Sequence, residues 1–161
     1  MKNTLIHIAI VAIFLSAVSC DSKKENNTFE PTIEKFSNDE RVLSVVNSFE
    51  ELLNQSPYDK NFDIKSFRNS ISSIKLVINQ IYKDYGGEDN VISFCHELSG
   101  NVHTKNEGDC CELNPNGTTN WDCCSNWQSF LVACASVFRC DADGDVGTYY
   151  DCVQERVCNN C

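Results

Sequence analysis

The cysteines of this chain are concentrated in its C-terminal part. Ten of the eleven lie at or beyond residue 95, and they are Cys95, Cys110, Cys111, Cys123, Cys124, Cys134, Cys140, Cys152, Cys158 and Cys161. A segment of about 65 residues cannot enclose a large hydrophobic core by itself, so covalent links are expected to stabilise it. Ten is an even number, which permits up to five bridges. The sequence therefore predicts a disulfide framework, whose pairing the spacing does not determine.

The first twenty residues have the pattern of an export signal. Lys2 gives a positive start, and residues 5–18 form an uncharged stretch that is shorter than a transmembrane helix requires. The stretch closes with LSAVSC at residues 15–20, which resembles the lipobox of bacterial lipoprotein precursors. This resemblance implies that residues 1–19 are a lipoprotein signal peptide and that Cys20 is the lipidation site. An ordinary secretory signal with a coincidental cysteine is the alternative.

The resemblance also predicts a location, in the bacterial cell envelope, anchored to a membrane by lipid and facing the periplasm or the exterior. The negative charge of the chain is consistent with a lipid anchor, because it would not attract the protein to an anionic membrane surface. The chain carries a net charge of −10, and residues 95–161 hold ten acidic residues against three basic ones. Such a surface repels phosphates, so binding to nucleic acid or to anionic lipid headgroups is not expected.

The segment that follows Cys20 is polar and poor in apolar side chains. Such a composition cannot offset the entropy cost of ordering the chain. Residues 20–36 are therefore predicted to be a lipidated flexible tether.

A helical hairpin is predicted over residues 37–87. Ser37 and Glu40 have the spacing of a capping box, and Pro57 ends the first helix. The second helix carries apolar residues at alternating steps of three and four, namely Ile64, Phe67, Ile71, Ile74, Ile78, Ile81 and Tyr85. Its apolar stripe is expected to pack against the first helix and the cysteine-rich part. Self-association of this heptad helix as a coiled coil is the alternative.

Residues 88–161 are predicted to form a small cysteine-rich helical domain. One helix, capped by Asn120 or Asp122, has apolar residues at steps of three and four, namely Cys124, Trp127, Leu131, Cys134 and Phe138. A last short helix is expected over residues 148–158. The fold class is therefore mainly α, with an N-terminal helical hairpin followed by a small disulfide-rich helical domain.

One acidic turn has the pattern of a metal site. The run DADGDVG at residues 141–147 places Asp141, Asp143 and Asp145 at alternate positions, and Asp151 follows downstream. The run resembles the start of an EF-hand or dockerin-type calcium loop, which implies Ca²⁺ binding, and its departures from that pattern predict a weak affinity. Glycine occupies the seventh loop position in place of the sixth, and Cys152 stands where a glutamate belongs. A solvated acidic turn with Asp141 or Asp145 capping a helix is the alternative.

The sequence does not contain the residue patterns of other common catalytic, metal or cofactor sites. Cys158 and Cys161 have redox CxxC spacing, but they end the chain, so bridging to partners elsewhere is expected. Cys95, His96 and His103 fit no common zinc pattern. No nucleophile elbow or phosphate-binding loop occurs in the sequence. No cofactor other than Ca²⁺ is expected.

These observations predict a lipid-anchored envelope lipoprotein that is not an enzyme. Its mature part would act as a binding or structural module with an unidentified protein or envelope partner. The alternative is a precursor that releases residues 95–161 as a secreted, cysteine-rich, bacteriocin-like peptide. The negative charge of that half weighs against the alternative, since membrane-active peptides are usually cationic.

Overall fold

The computed structural model describes residues 31–55, 57–100, 111–114, 118–121 and 123–161, and within these ranges every regular element is a helix. The helices are α1 (Ile33–Ser37), α2 (Glu40–Leu53), α3 (Ile64–Asp84), α4 (Glu88–Ser99), α5 (Asn126–Arg139) and α6 (Val146–Asn160). The mainly α, disulfide-rich fold predicted from the sequence is confirmed. No helix in these ranges combines the length and the apolar character needed to cross a membrane.

Helix α1 belongs to the folded domain. Thr32 caps its start by accepting a hydrogen bond from the backbone of Lys35, and Phe36 is fully buried. The Phe36 ring packs against four other rings, those of Tyr85, Phe94, Trp127 and Phe130. The prediction of a flexible tether over residues 20–36 is therefore wrong for residues 33–36, because one aromatic side chain fixes this short segment in the core.

The N-cap of α2 is Asp39, two residues after the predicted Ser37. The Asp39 carboxylate accepts from the backbone N–H of Arg41 at 2.9 Å. Ser37 instead ends α1, and its hydroxyl donates to the carbonyl of Glu34. Ser37 and Asp39 are both residue types that cap helices, and Asp39 caps α2 because its carboxylate also binds the Arg41 guanidinium.

Helices α2 and α3 form the predicted antiparallel hairpin. The start of α2 meets the end of α3, where Arg41 Nη1 lies 2.7 Å from Asp84 Oδ2. All but Ile64 of the predicted α3 stripe are buried. Because α3 packs on both α2 and α5, these isoleucines are enclosed within one chain and are not available for a coiled coil in this conformation.

Helix α5 is the central element and packs on α2, α3, α4 and α6. Its N-cap is Ser125, which forms a capping box with Gln128. The predicted cap was Asn120 or Asp122, and Asp122 lies outside the described residues. The helix is buried around most of its circumference, on both the predicted stripe and the faces beside it. The buried residues are Ser129, Phe130, Val132, Ala133, Cys134, Ser136 and Val137.

A single hydrophobic cluster runs through all six helices, from Phe36 in α1 to Val157 in α6. Phe67 of α3 packs edge to face against Tyr149 of α6, with ring centroids 5.4 Å apart. The hydroxyl of Tyr150 donates to the carbonyl of Gln55 at 2.6 Å. The predicted division into residues 37–87 and 88–161 therefore does not separate two cores, because the cysteine-rich helices complete the core of the hairpin.

Candidate functional site

Helices α5 and α6 form an antiparallel pair that is stapled at both ends. Cys140, the C-cap of α5, is bonded to Cys152 in α6. At the opposite end, Cys124, just before α5, is bonded to Cys161 at the chain end. These two disulfides join the central helix to the last helix and fix their register.

A third disulfide joins Cys111 to Cys158 and holds residues 111–114 against α6. Cys123 is also disulfide-bonded, whereas Cys110 lies outside the described residues. Cys158 and Cys161 therefore bridge to different partners, as the sequence predicted, and are not a redox pair.

The framework leaves out Cys95 and Cys134, which are free thiols in the structure. The prediction that both belong to disulfides is not met by this structure. The two residues lie on α4 and α5, respectively, inside the hydrophobic core, whereas Cys111, Cys124, Cys140 and Cys161 lie in loops or at helix ends. Burial raises the pKa of the Cys134 thiol to about 12 and also raises the pKa of Cys95. Both thiols are therefore protonated near neutral pH and are poor nucleophiles.

A cavity of about 130 Å³ reaches Cys134 between α4 and α5. Tyr82 of α3 and His96 of α4 also line this cavity, which we call the thiol cleft. Tyr82 lies beside Cys134 in this cleft, and Glu88 pairs with Arg139 across it at 3.6 Å. Cys134, which is 5% exposed, is the cysteine that lines this cleft. His96 is exposed on its rim, and His103 lies outside the described residues.

The acidic turn between α5 and α6 uses its carboxylates as backbone caps. Asp141 Oδ1 accepts from the backbone N–H groups of Asp143 and Gly144 at 3.0 and 3.2 Å. Asp145 is the N-cap of α6 and accepts from the backbone of Thr148 at 3.0 Å. The side chain of Asp143 is 97% exposed, and Asp151 lies exposed on α6. The part of the chain that the structure describes contains no group of three or more acidic, histidine or cysteine side chains arranged to hold a metal ion.

A cation from a distant part of the chain binds this turn. Arg68 of α3 donates to the backbone carbonyls of Ala142 at 2.9 Å, Asp143 at 2.6 Å and Gly144 at 3.2 Å. Backbone carbonyls are also among the oxygen ligands that Ca²⁺ uses. The Arg68 guanidinium thus occupies backbone oxygens of the loop that a bound cation could otherwise use. Sequence reasoning missed Arg68, because a contact across 74 residues leaves no signal in local spacing.

The helices and their staples define a small disulfide-rich helical protein. Comparison of the chain with protein-family models, with curated proteins and with solved structures gives no match. The predicted lipidation site, Cys20, lies outside the described residues.

Proposed function

We propose that this protein is a lipid-anchored lipoprotein of the bacterial cell envelope, whose disulfide-stapled helical domain acts as a binding or structural module outside the cytosol. The observation that carries the proposal is the oxidised state of Cys111, Cys124 and Cys140 and their partners. Disulfides of this kind persist in oxidising compartments and are rare where thiols are kept reduced. This state is compatible with export, which the lipobox-like segment at residues 15–20 suggests independently.

The carboxylates and cysteines that could have been catalytic have structural partners or are buried, which supports a function without catalysis. The carboxylates of Asp141 and Asp145 cap backbone N–H groups, and the terminal CxxC cysteines are bridged elsewhere. Burial raises the pKa of the Cys134 thiol to about 12. These arrangements stabilise the fold and leave these groups poorly suited to attack a substrate.

The length of the connecting segment also supports the anchor. Helix α1 begins at Ile33, so thirteen steps along the chain separate it from Cys20. A fully extended chain of this length spans at most about 45 Å. Lipidation of Cys20 would therefore hold the domain close to the membrane surface.

Metabolic labelling with a clickable fatty acid tests the anchor. The wild-type protein is expected to take up the label and to fractionate with membranes, and Cys20→Ala is expected to lose both properties. Ser19→Ala is the matched control, since it keeps a small residue before Cys20 and should label like the wild type. Label that persists in Cys20→Ala, or that is absent from the wild type, would refute the lipoprotein proposal.

A pull-down from envelope extract tests the binding role. The chain without its first twenty residues serves as bait, with a reduced and alkylated sample as the matched control. A partner retained by the native bait alone supports a binding module. Retention that is equal for both samples would show that the folded surface is not what is recognised.

The precursor alternative is not favoured by the packing. Release of residues 95–161 would break the ring contact of Tyr149 with Phe67 and the hydrogen bond from Tyr150 to Gln55. It would also expose the apolar residues of the shared core to solvent. A trimmed C-terminal fragment in the culture medium would nevertheless establish it, whereas full-length membrane-associated protein alone would exclude it.

A further inference from the structure

An ion pair at one end of the α4–α5 pair and a shared cavity at the other indicate the register of these helices. At one end, Glu88 of α4 pairs with Arg139 of α5. At the other end, Ser99 of α4 and Gln128 of α5 line one cavity. The helices are therefore antiparallel. A residue of α4 lies beside the residue of α5 for which the two residue numbers add to about 227, as in Glu88 with Arg139.

This register places the two free cysteines within about 3 Å of the same level along the helix pair. Cys95 lies seven residues after Glu88, about 10 Å along α4, and Cys134 lies five residues before Arg139, about 8 Å along α5. Both side chains belong to the core cluster, with exposed fractions of 0% and 5%. Tyr82 of α3 lies beside Cys134 in the thiol cleft.

The spacing of packed helices suits a covalent link at this level. Helix axes pack about 8–10 Å apart, and each Cα lies about 2.3 Å from its axis. Two facing Cα atoms are then roughly 3.5–5.5 Å apart, which overlaps the range of about 4.4–6.8 Å found across disulfides. The two thiols also repel each other when charged, and the proximity of Cys134 adds to the rise in the pKa of Cys95.

We propose that Cys95 and Cys134 are a latent cysteine pair that closes to a disulfide between α4 and α5, by exchange with a small exogenous disulfide that enters through the thiol cleft. Cys134 lines the cleft and reacts first, as its thiolate, forming a mixed disulfide and releasing one thiol. The Cys95 sulfur then displaces the second thiol. In total, two cysteine thiols and one exogenous disulfide give one protein disulfide and two free small thiols, so hydrogen atoms and electrons balance.

The bond would give α4 the covalent link that it lacks in the structure. Cys95 is the one cysteine of α4 and is free, whereas α6 and the residue after it carry three bonded cysteines. The exchange is expected to be slow, because burial keeps both thiols protonated and thiolate is the reacting form. The pair would therefore close after the other disulfides have formed.

Incubation of the folded, full mature chain with 2-hydroxyethyl disulfide tests the proposal. Samples are unfolded, alkylated and analysed by peptide mass spectrometry. The wild type is expected to lose two alkylatable thiols and the mass of two hydrogen atoms, and to give a cross-linked peptide pair containing Cys95 and Cys134. Protein isolated with this bond already formed supports the pairing, and the single-cysteine variants then test the route of exchange. Closure should raise the melting temperature by about 5 °C or more.

Two variants test the order of reaction. Cys95→Ala should stop at the mixed disulfide on Cys134, because the resolving sulfur is absent. Cys134→Ala should form little adduct, because Cys95 is fully buried. Wild-type protein that keeps both thiols, or gains two separate adducts, would overturn the proposal even if neither variant folds. These results do not depend on fatty-acid labelling at Cys20, so the two proposals can fail separately.

Discussion

At the scale of single residues, Asp39 organises the junction between α1, α2 and α3. Its carboxylate caps α2 through the backbone of Arg41, binds the Arg41 guanidinium, and accepts from the Tyr85 hydroxyl at 3.0 Å. The guanidinium also reaches Asp84 at 2.7 Å. Arg41 holds the pKa of both carboxyls below their ordinary value of 3.8. The charged form of Asp39 is therefore favoured in the folded state.

This depressed pKa predicts an acid-dependent loss of stability. The contribution of Asp39 is present above the unfolded pKa of 3.8 and is lost as the pH falls through the lower folded pKa. Asp39→Asn, which keeps a capping oxygen, should flatten the fall in the urea midpoint below about pH 4. Asp39→Ala also removes the cap and should cost about 1 kcal/mol more at neutral pH. Identical pH profiles for Asp39→Asn and the wild type would contradict the assignment.

The acidic turn gives a second prediction at this scale. If Asp141, Asp143, Asp145 and Asp151 bind Ca²⁺, the melting temperature should rise as Ca²⁺ passes through roughly 0.1–1 mM. Mg²⁺ should do less, because it demands octahedral geometry. Arg68→Met should strengthen the response, since it frees the loop carbonyls that the guanidinium now occupies.

The control for calcium is the pair Asp143→Asn and Asp145→Asn in one chain. Asparagine at position 145 can still cap α6, so the variant removes charge while preserving the helix start. If this variant gains as much stability from Ca²⁺ as the wild type, the effect is general screening of an anionic surface and the metal hypothesis fails.

At the scale of helices, local patterns predicted some elements and missed others for identifiable reasons. The steps of three and four from Phe67 to Tyr85 predicted α3 and its buried face, because one side of this helix meets the core and the other meets solvent. Helix α5 is buried on nearly all sides, so the stripe read from its sequence identified only part of the contact surface. Helix α4 has just two fully buried positions, Val91 and Cys95, and was not predicted as a separate element.

The two disulfides that join α5 to α6 should contribute different amounts to the free energy of unfolding. The Cys140–Cys152 bond spans 12 residues and the Cys124–Cys161 bond spans 37. Loop-closure entropy predicts stabilisation of about 3 and 4 kcal/mol, respectively. Replacing Cys124 and Cys161 together by alanine should therefore lower the unfolding free energy by about 1 kcal/mol more than replacing Cys140 and Cys152. Urea unfolding of the two double variants measures the difference, and the reverse order would show that contacts outweigh chain entropy.

At the scale of the whole molecule, the cysteine content suggested a boundary that the core does not have. The change in composition near residue 88 is real, but the apolar faces of α2 and α3 are covered by α5 and by Tyr149 and Tyr150 of α6. Phe49 packs against Trp121, with ring centroids 5.9 Å apart, and Phe36 packs against Phe130 at the same distance. Such contacts join residues more than 70 positions apart, which is why composition and periodicity could not reveal them.

This shared core predicts that the cysteine-rich half does not fold alone. A fragment of residues 88–161 keeps its cysteines but loses Phe36, Phe49 and Phe67, which cover the rings of α5 and α6. The loss of these contacts should remove the whole unfolding free energy, typically about 5–15 kcal/mol for a domain of this size. The fragment should therefore show no cooperative thermal transition by circular dichroism and should oxidise to a mixture of disulfide isomers. The matched control, residues 31–161, should unfold in one transition and give one disulfide pattern. A fragment that melts cooperatively near the temperature of the control would establish two independent domains and would restore the precursor alternative.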